Sequence, residues 1–162
     1  MSPVRILGIG SPFGDDRVGW EVIARLRTGG YLARFPAGAI AAECCDRPGA
    51  GLVAHPAGAD RAILVDAMRS GAAPGTIRRL ADTDIDATAG LLSSHGFGLA
   101  EALALARALG AAPRRLIVFG VELSRARPGD EMSPAVRAAI PEVLAYIARE
   151  LVPSAHAAAH AG

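Results

Sequence analysis

Residues 4–27 read Val4-Arg5-Ile6-Leu7-Gly8-Ile9-Gly10-Ser11-Pro12-Phe13-Gly14-Asp15-Asp16-Arg17-Val18-Gly19-Trp20-Glu21-Val22-Ile23-Ala24-Arg25-Leu26-Arg27. The first seven form a short apolar run closed by glycine, which predicts a buried strand. From residue 16 the period changes. Val18, Val22, Ile23 and Leu26 fall on one helical face, with Arg17, Glu21 and Arg25 elsewhere. Gly29-Gly30 stops that helix. A strand, a short loop and an amphipathic helix within one small stretch predict an α/β chain.

The pattern repeats downstream. Residues 39–45 read as a second strand weakened by its alanines, and residues 48–58 as a glycine-rich turn with a short helix. Residues 61–67, with Ile63-Leu64-Val65-Asp66, form another buried strand ending in a carboxylate. Pro74-Gly75 turns the chain into a modest strand over 76–80, and residues 82–92 are ambiguous. A helix is expected over 96–109, closed by Gly110. Residues 115–123 are the most apolar strand. Ser133-Pro134 opens a last helix, with Ser133 as its N-cap and Val136, Ile140, Val143, Leu144, Ile147 and Leu151 on one side. Alternating strands and helices predict a three-layer α/β/α sandwich around a mostly parallel, twisted sheet of roughly five strands. Residues 1–152 are expected to form one domain, and 153–162 a mobile tail.

The chain has 162 residues, enough to bury a core without disulfides. Its hydrophobic fraction of 51% and mean hydropathy of +0.31 are high, but much of this is alanine. Arg, Asp, Gly and Pro interrupt every apolar stretch before it reaches the roughly 20 residues of a spanning helix. No signal peptide is recognisable, so the cytoplasm is the expected location. The formal net charge of +1 predicts no general attraction to nucleic acid or membrane. All 17 basic residues are Arg, which excludes Schiff-base and P-loop lysines. The adjacent Cys44 and Cys45 are poorly placed for a disulfide with each other. They read as small apolar residues of a buried strand more readily than as metal ligands.

In open α/β sheets, sites form beyond the carboxyl ends of the strands. The polar residues there are Ser11, Asp15 and Asp16 after the first strand, Asp66 after the third, and Glu122 and Ser124 after the last. His95 follows Ser93 and Ser94 just ahead of the helix expected over 96–109. Gly8-Ile9-Gly10 fails as a dinucleotide fingerprint. The third glycine would be residue 13, which is Phe13, and the two aspartates would repel a pyrophosphate. Asp15 is expected to cap the first helix, leaving Asp16 available for other work. Asp66 can cap a turn, or stand near Asp16 if the strand order is the usual one. His95, at a helix N-terminus, is disfavoured as imidazolium. Two carboxylates and a neutral imidazole make a three-ligand set for a borderline divalent ion with positions left open. No His-Glu-x-x-His or Gly-x-Ser-x-Gly motif is present, and a triad built on Ser11 or Ser94 fits none of the common orders.

The stretch Ile6-Leu7-Gly8-Ile9-Gly10-Ser11-Pro12-Phe13-Gly14-Asp15-Asp16-Arg17-Val18-Gly19 resembles the opening motif of the hydrogenase maturation proteases. Ile63-Leu64-Val65-Asp66-Ala67 with Pro74-Gly75-Thr76 is similar to that family's second motif. Ser94-His95-Gly96-Phe97-Gly98-Leu99 resembles its histidine segment, and Phe119-Gly120-Val121-Glu122 and Met132-Ser133-Pro134-Ala135-Val136 its closing strand and last helix. The resemblance runs from about residue 4 to 150. It departs at Ser11, where the family has Asn, and at Arg17, where the family has Gly.

The resemblance implies an endopeptidase that removes the C-terminal extension of a nickel-loaded [NiFe]-hydrogenase large-subunit precursor. By motif position, Asp16, Asp66 and His95 are the implied metal-contacting and catalytic residues. The nickel they contact belongs to the precursor, and no cofactor of the protease's own is expected. The expected partner is the precursor, without nucleic acid or membrane, and the expected state is a monomer. A water attacks the scissile carbonyl, activated by the metal or by one carboxylate; the sequence does not choose. Two rivals are a precursor-binding or nickel-sensing chaperone that does not cut, and a hydrolase with its own bound divalent metal.

Overall fold

In the computed structural model, residues 3–46, 60–81, 83–88, 99–124, 127 and 129–152 are described. They contain five strands: β1 (Val4–Ile9), β2 (Ile40–Cys45), β3 (Arg61–Met68), β4 (Ile77–Ala81) and β5 (Arg115–Glu122). The described helices are α1 (Val18–Thr28), α2 (Thr83–Thr88), α3 (Leu99–Ala108) and α4 (Pro134–Leu151). The strands form one sheet in the order β2-β1-β3-β5-β4. Only β4 runs antiparallel, against β5 at the sheet edge; the other pairings are parallel. The expected α/β architecture is therefore what forms. None of the described helices is long and apolar enough to cross a membrane.

Side-chain alternation splits the core into two layers. Ile6, Ile63, Val65, Ala67, Phe119 and Val121 pack against α1 and α4. Leu7, Ile9, Leu64, Met68 and Val118 pack against Ile85 of α2 and against Leu99, Leu103 and Ala106 of α3. Two buried faces explain why β3 and β5 read as nearly continuous apolar runs.

The chain leaves β1 toward β2 on one side and returns to β3 on the other. The ends of β1 and β3 therefore flank the point where the strand order reverses, the usual place for a site in such sheets. Glycines bring the first helix down onto that point. A Cβ on Gly19 would lie 2.3 Å from the Ile9 carbonyl oxygen and 2.6 Å from that of Val65. A Cβ on Gly8 would lie 2.2 Å from the Gly19 carbonyl oxygen. The glycines let backbone touch backbone.

Three expectations change. The first helix does not start at residue 16: a 3-10 turn, Gly14–Arg17, precedes α1. The ambiguous stretch 82–92 contains the one-and-a-half turns of α2. The strand carrying the cysteines is an edge strand, so Cys44 is exposed and Cys45 half-buried, both as free thiols. Burial raises both thiol pKa values; Arg27 partly offsets this at Cys44, while Glu43 adds to it at Cys45. The turn expected over 48–58, the start of the helix expected over 96–109 and the tail 153–162 lie outside the described residues.

Candidate active site

Asp16 sits in the 3-10 turn and Asp66 is the sixth residue of β3. Both are buried, at 1% and 3% exposure. Carboxylates are rarely that deep without partners, because desolvation costs several kcal/mol per ion, and both have interactions within the protein. The 3-10 turn packs against β3. Asp66 shares the strand phase of Ala62, Leu64 and Met68, the face covered by α3. It does not end its strand: β3 continues to Met68, and Asp66 pairs in register with Gly120.

The loop between β1 and α1 is shaped by its own backbone. Asp16 N–H donates to the Phe13 carbonyl at 3.1 Å, and Ser11 N–H donates to the Asp16 carbonyl at 3.3 Å. The Cys45 carbonyl accepts from Gly10 N–H at 3.0 Å and from the Trp20 indole at 2.9 Å, tying the end of β2 to the same loop. A Cβ on Gly10 would stand 2.3 Å from the Asp16 carbonyl oxygen, so this turn also needs a glycine.

Asp15 has a different task from the expected one. It caps no helix: α1 has Arg17 at its N-cap, without a side-chain bond. Asp15 is fully buried and reaches across the molecule. Its Oδ2 accepts from Ser124 N–H at 2.7 Å and from the Ser133 hydroxyl at 3.0 Å; its Oδ1 accepts from Ser133 N–H at 2.6 Å. Ser133 in turn makes no side-chain cap to α4; its hydroxyl donates to Asp15. Asp15 thus holds the loop after β1 to the end of β5 and the start of α4. No local spacing reveals this, since the partners lie 109 and 118 residues away.

Glu122 is a second buried anchor. Its carboxylate accepts from the Ser70 N–H, the Gly71 N–H and the Ser70 hydroxyl, the last at 2.6 Å. Burial alone would raise its pKa. The Ser70 and Gly71 hydrogen bonds and the nearby Arg69 outweigh that, and the net shift is downward. Glu122 therefore pins the loop that follows β3.

His95, with Ser93 and Ser94, lies outside the described residues. The structure places two of the three expected site residues, and among the described residues no group of three His, Cys, Asp or Glu side chains is arranged to hold a metal ion. Arg17 directs its guanidinium to Glu21, at 2.8 Å, one helical turn on. Ser11 accepts a long contact of 3.4 Å from Phe13 N–H within its own loop.

The hydrogenase maturation protease family matches the chain over residues 48–150. The chain belongs to this family of peptidases. It is 33% identical over 146 residues to a hydrogenase expression/formation protein, HupM, of Azotobacter chroococcum, covering 88% of this chain and 68% of that protein. It is 34% identical over 122 residues to the protein HoxM of Azotobacter vinelandii, where it spans 74% of this chain and 57% of the relative. The fold agrees with that of the hydrogenase maturating endopeptidase HybD from E. coli. The TM-score is 0.74 and the identity 26%, over 90% of this chain and 89% of the other. A maturation protease from Thermococcus kodakarensis shares the fold at a TM-score of 0.72 and 22% identity, over 92% and 98%. The two carboxylates of this maturation protease therefore stand at the strand-order reversal of a peptidase fold.

Proposed function

We propose that this protease removes the C-terminal extension of a nickel-loaded [NiFe]-hydrogenase large-subunit precursor in the cytoplasm, with Asp16, Asp66 and His95 as its working residues. The observation that carries the reading is the pair of buried carboxylates, fifty residues apart in sequence, on the 3-10 turn and on the β3 strand it packs against. Family membership supplies the reaction class. Carboxylate oxygen and imidazole nitrogen suit a borderline divalent ion, so Asp16, Asp66 and His95 would bind the nickel that the precursor carries. Binding there sets the scissile peptide beyond the carboxyl ends of β1 and β3. A carboxylate of this set takes the proton of the attacking water as the water oxygen adds to the peptide carbonyl. The proton then passes to the departing amine, the peptide C–N bond breaks, and the extension leaves.

The test is to incubate the protein with nickel-loaded and nickel-free precursor and to read the precursor by intact mass. The expected result is loss of the extension from the nickel-loaded form alone. Binding without a mass change would favour a non-cleaving chaperone. Cleavage of ordinary peptides after adding zinc would favour a hydrolase with its own metal.

A further inference from the structure

Between α1 and the start of α4 lies an open groove of about 630 Å³, lined by Arg25, Glu131, Met132, Pro134, Arg137 and Ala138. A smaller hollow shares Arg25, Met132 and Arg137 and extends to Arg17, Glu21 and Ile140. Together they lead along the surface to Arg17, the residue next to Asp16. One wall is held in place by the Asp15 anchor, because Ser133, between Met132 and Pro134, is bonded to Asp15.

The charges in this groove are uneven. Arg17 is neutralised by Glu21. Arg79, Arg107 and Arg114 elsewhere also face carboxylates, at 2.5, 3.6 and 3.6 Å. The side chains of Arg25 and Arg137 make no hydrogen bond or ion pair among the described residues, although both line the same groove. Two guanidiniums sharing one groove repel each other until an anion enters. Arg suits a carboxylate partner because its fork of N–H donors matches two oxygens.

The rest of the lining narrows the choice of anion. Met132 and Pro134 offer apolar surface, while the Glu131 carboxylate would repel a continuous phosphate backbone. That mixture fits a polypeptide with spaced acidic side chains.

We propose that this groove docks an acidic segment of the hydrogenase precursor, with Arg25 and Arg137 pairing to its carboxylates and so orienting the chain beside Asp16. The proposal rests on the precursor-cleavage reading above. Neither arginine touches the reacting atoms; both are positioning residues.

The experiment compares cleavage of the nickel-loaded precursor by the wild type, R25A/R137A and R25K/R137K, with circular dichroism and thermal melts to show that each folds. The double alanine variant should raise KM about tenfold at low salt with kcat unchanged. The lysine variant should recover most of that loss, because it restores the charge. The gap between wild type and R25A/R137A should shrink in 0.5 M NaCl, as screening weakens exposed pairs. An active wild type with KM within twofold in R25A/R137A would overturn the docking proposal alone. The same holds if only kcat falls, or if the gap persists at high salt. A wild type that never cleaves the precursor would remove the cleavage reading and the docking proposal with it.

Discussion

Asp15 and Ser133 are joined through two donors of the serine: its N–H meets Oδ1 at 2.6 Å and its hydroxyl meets Oδ2 at 3.0 Å. The bond is buried, so its loss leaves backbone donors unsatisfied. D15A should lower stability by about 3 kcal/mol, and S133A, which spares the N–H contact, by about 1 kcal/mol. Urea denaturation of both variants and the double variant checks this. Additive losses would show that the pair is not coupled.

Gly19 is expected to reject any side chain. A methyl group there would overlap two carbonyl oxygens of β1 and β3. G19A should cost about 3 kcal/mol or more by driving α1 away from the sheet. A melting temperature equal to that of the wild type would show that α1 does not sit so close. G30A probes a different kind of constraint. Gly30 has open space around it but a φ of +73°, so alanine there should cost only about 1 kcal/mol, through backbone strain.

Asp16 and Asp66 should separate activity from folding. D16N and D66N keep the shape of the buried groups and remove their negative charge. Each should reduce precursor cleavage by about 1,000-fold or more while changing stability by less than about 2 kcal/mol. Tail loss followed by mass, beside a denaturation curve, reads both quantities. Cleavage at the wild-type rate in both variants would reject these assignments.

Glu122 gives the fold a pH dependence. Its pKa in the folded protein is lowered from the ordinary 4.5, despite burial, by its hydrogen bonds to Ser70 and Gly71. A lowered pKa stabilises the fold above the unfolded value, and the contribution disappears as pH falls through the folded value. E122Q should therefore be less stable than wild type by about 2 kcal/mol at pH 7. The difference should narrow as the pH drops below 4.5, the ordinary value of this carboxyl. Chemical denaturation at pH 7 and at pH 3.5 tests the sign. A gap that widens in acid would contradict the role assigned to Ser70 and Gly71.

Much of the frame was legible in the sequence because strand and helix periods are local properties. Val18, Val22, Ile23 and Leu26 announce the buried face of α1, and Ile63-Leu64-Val65 announces a strand covered on both sides. The same local reading put Asp16 after the first strand and Asp66 at the end of the third; Asp16 lies in the 3-10 turn that follows β1, and Asp66 lies inside β3, which continues to Met68. It misjudged Cys44 and Cys45. An alanine-rich strand looks buried until the sheet order leaves it at an edge.

The sequence by itself determined the alternation of strands and helices, the glycines that permit close approach and the family to which the chain belongs. Only the tertiary structure decided what Asp15 and Glu122 hold, and which arginines share a groove. The physical reason is range. A helical or extended period is set by neighbours a few residues away. The partner of a buried carboxylate is set by which distant backbone N–H groups the packed core brings within about 3 Å.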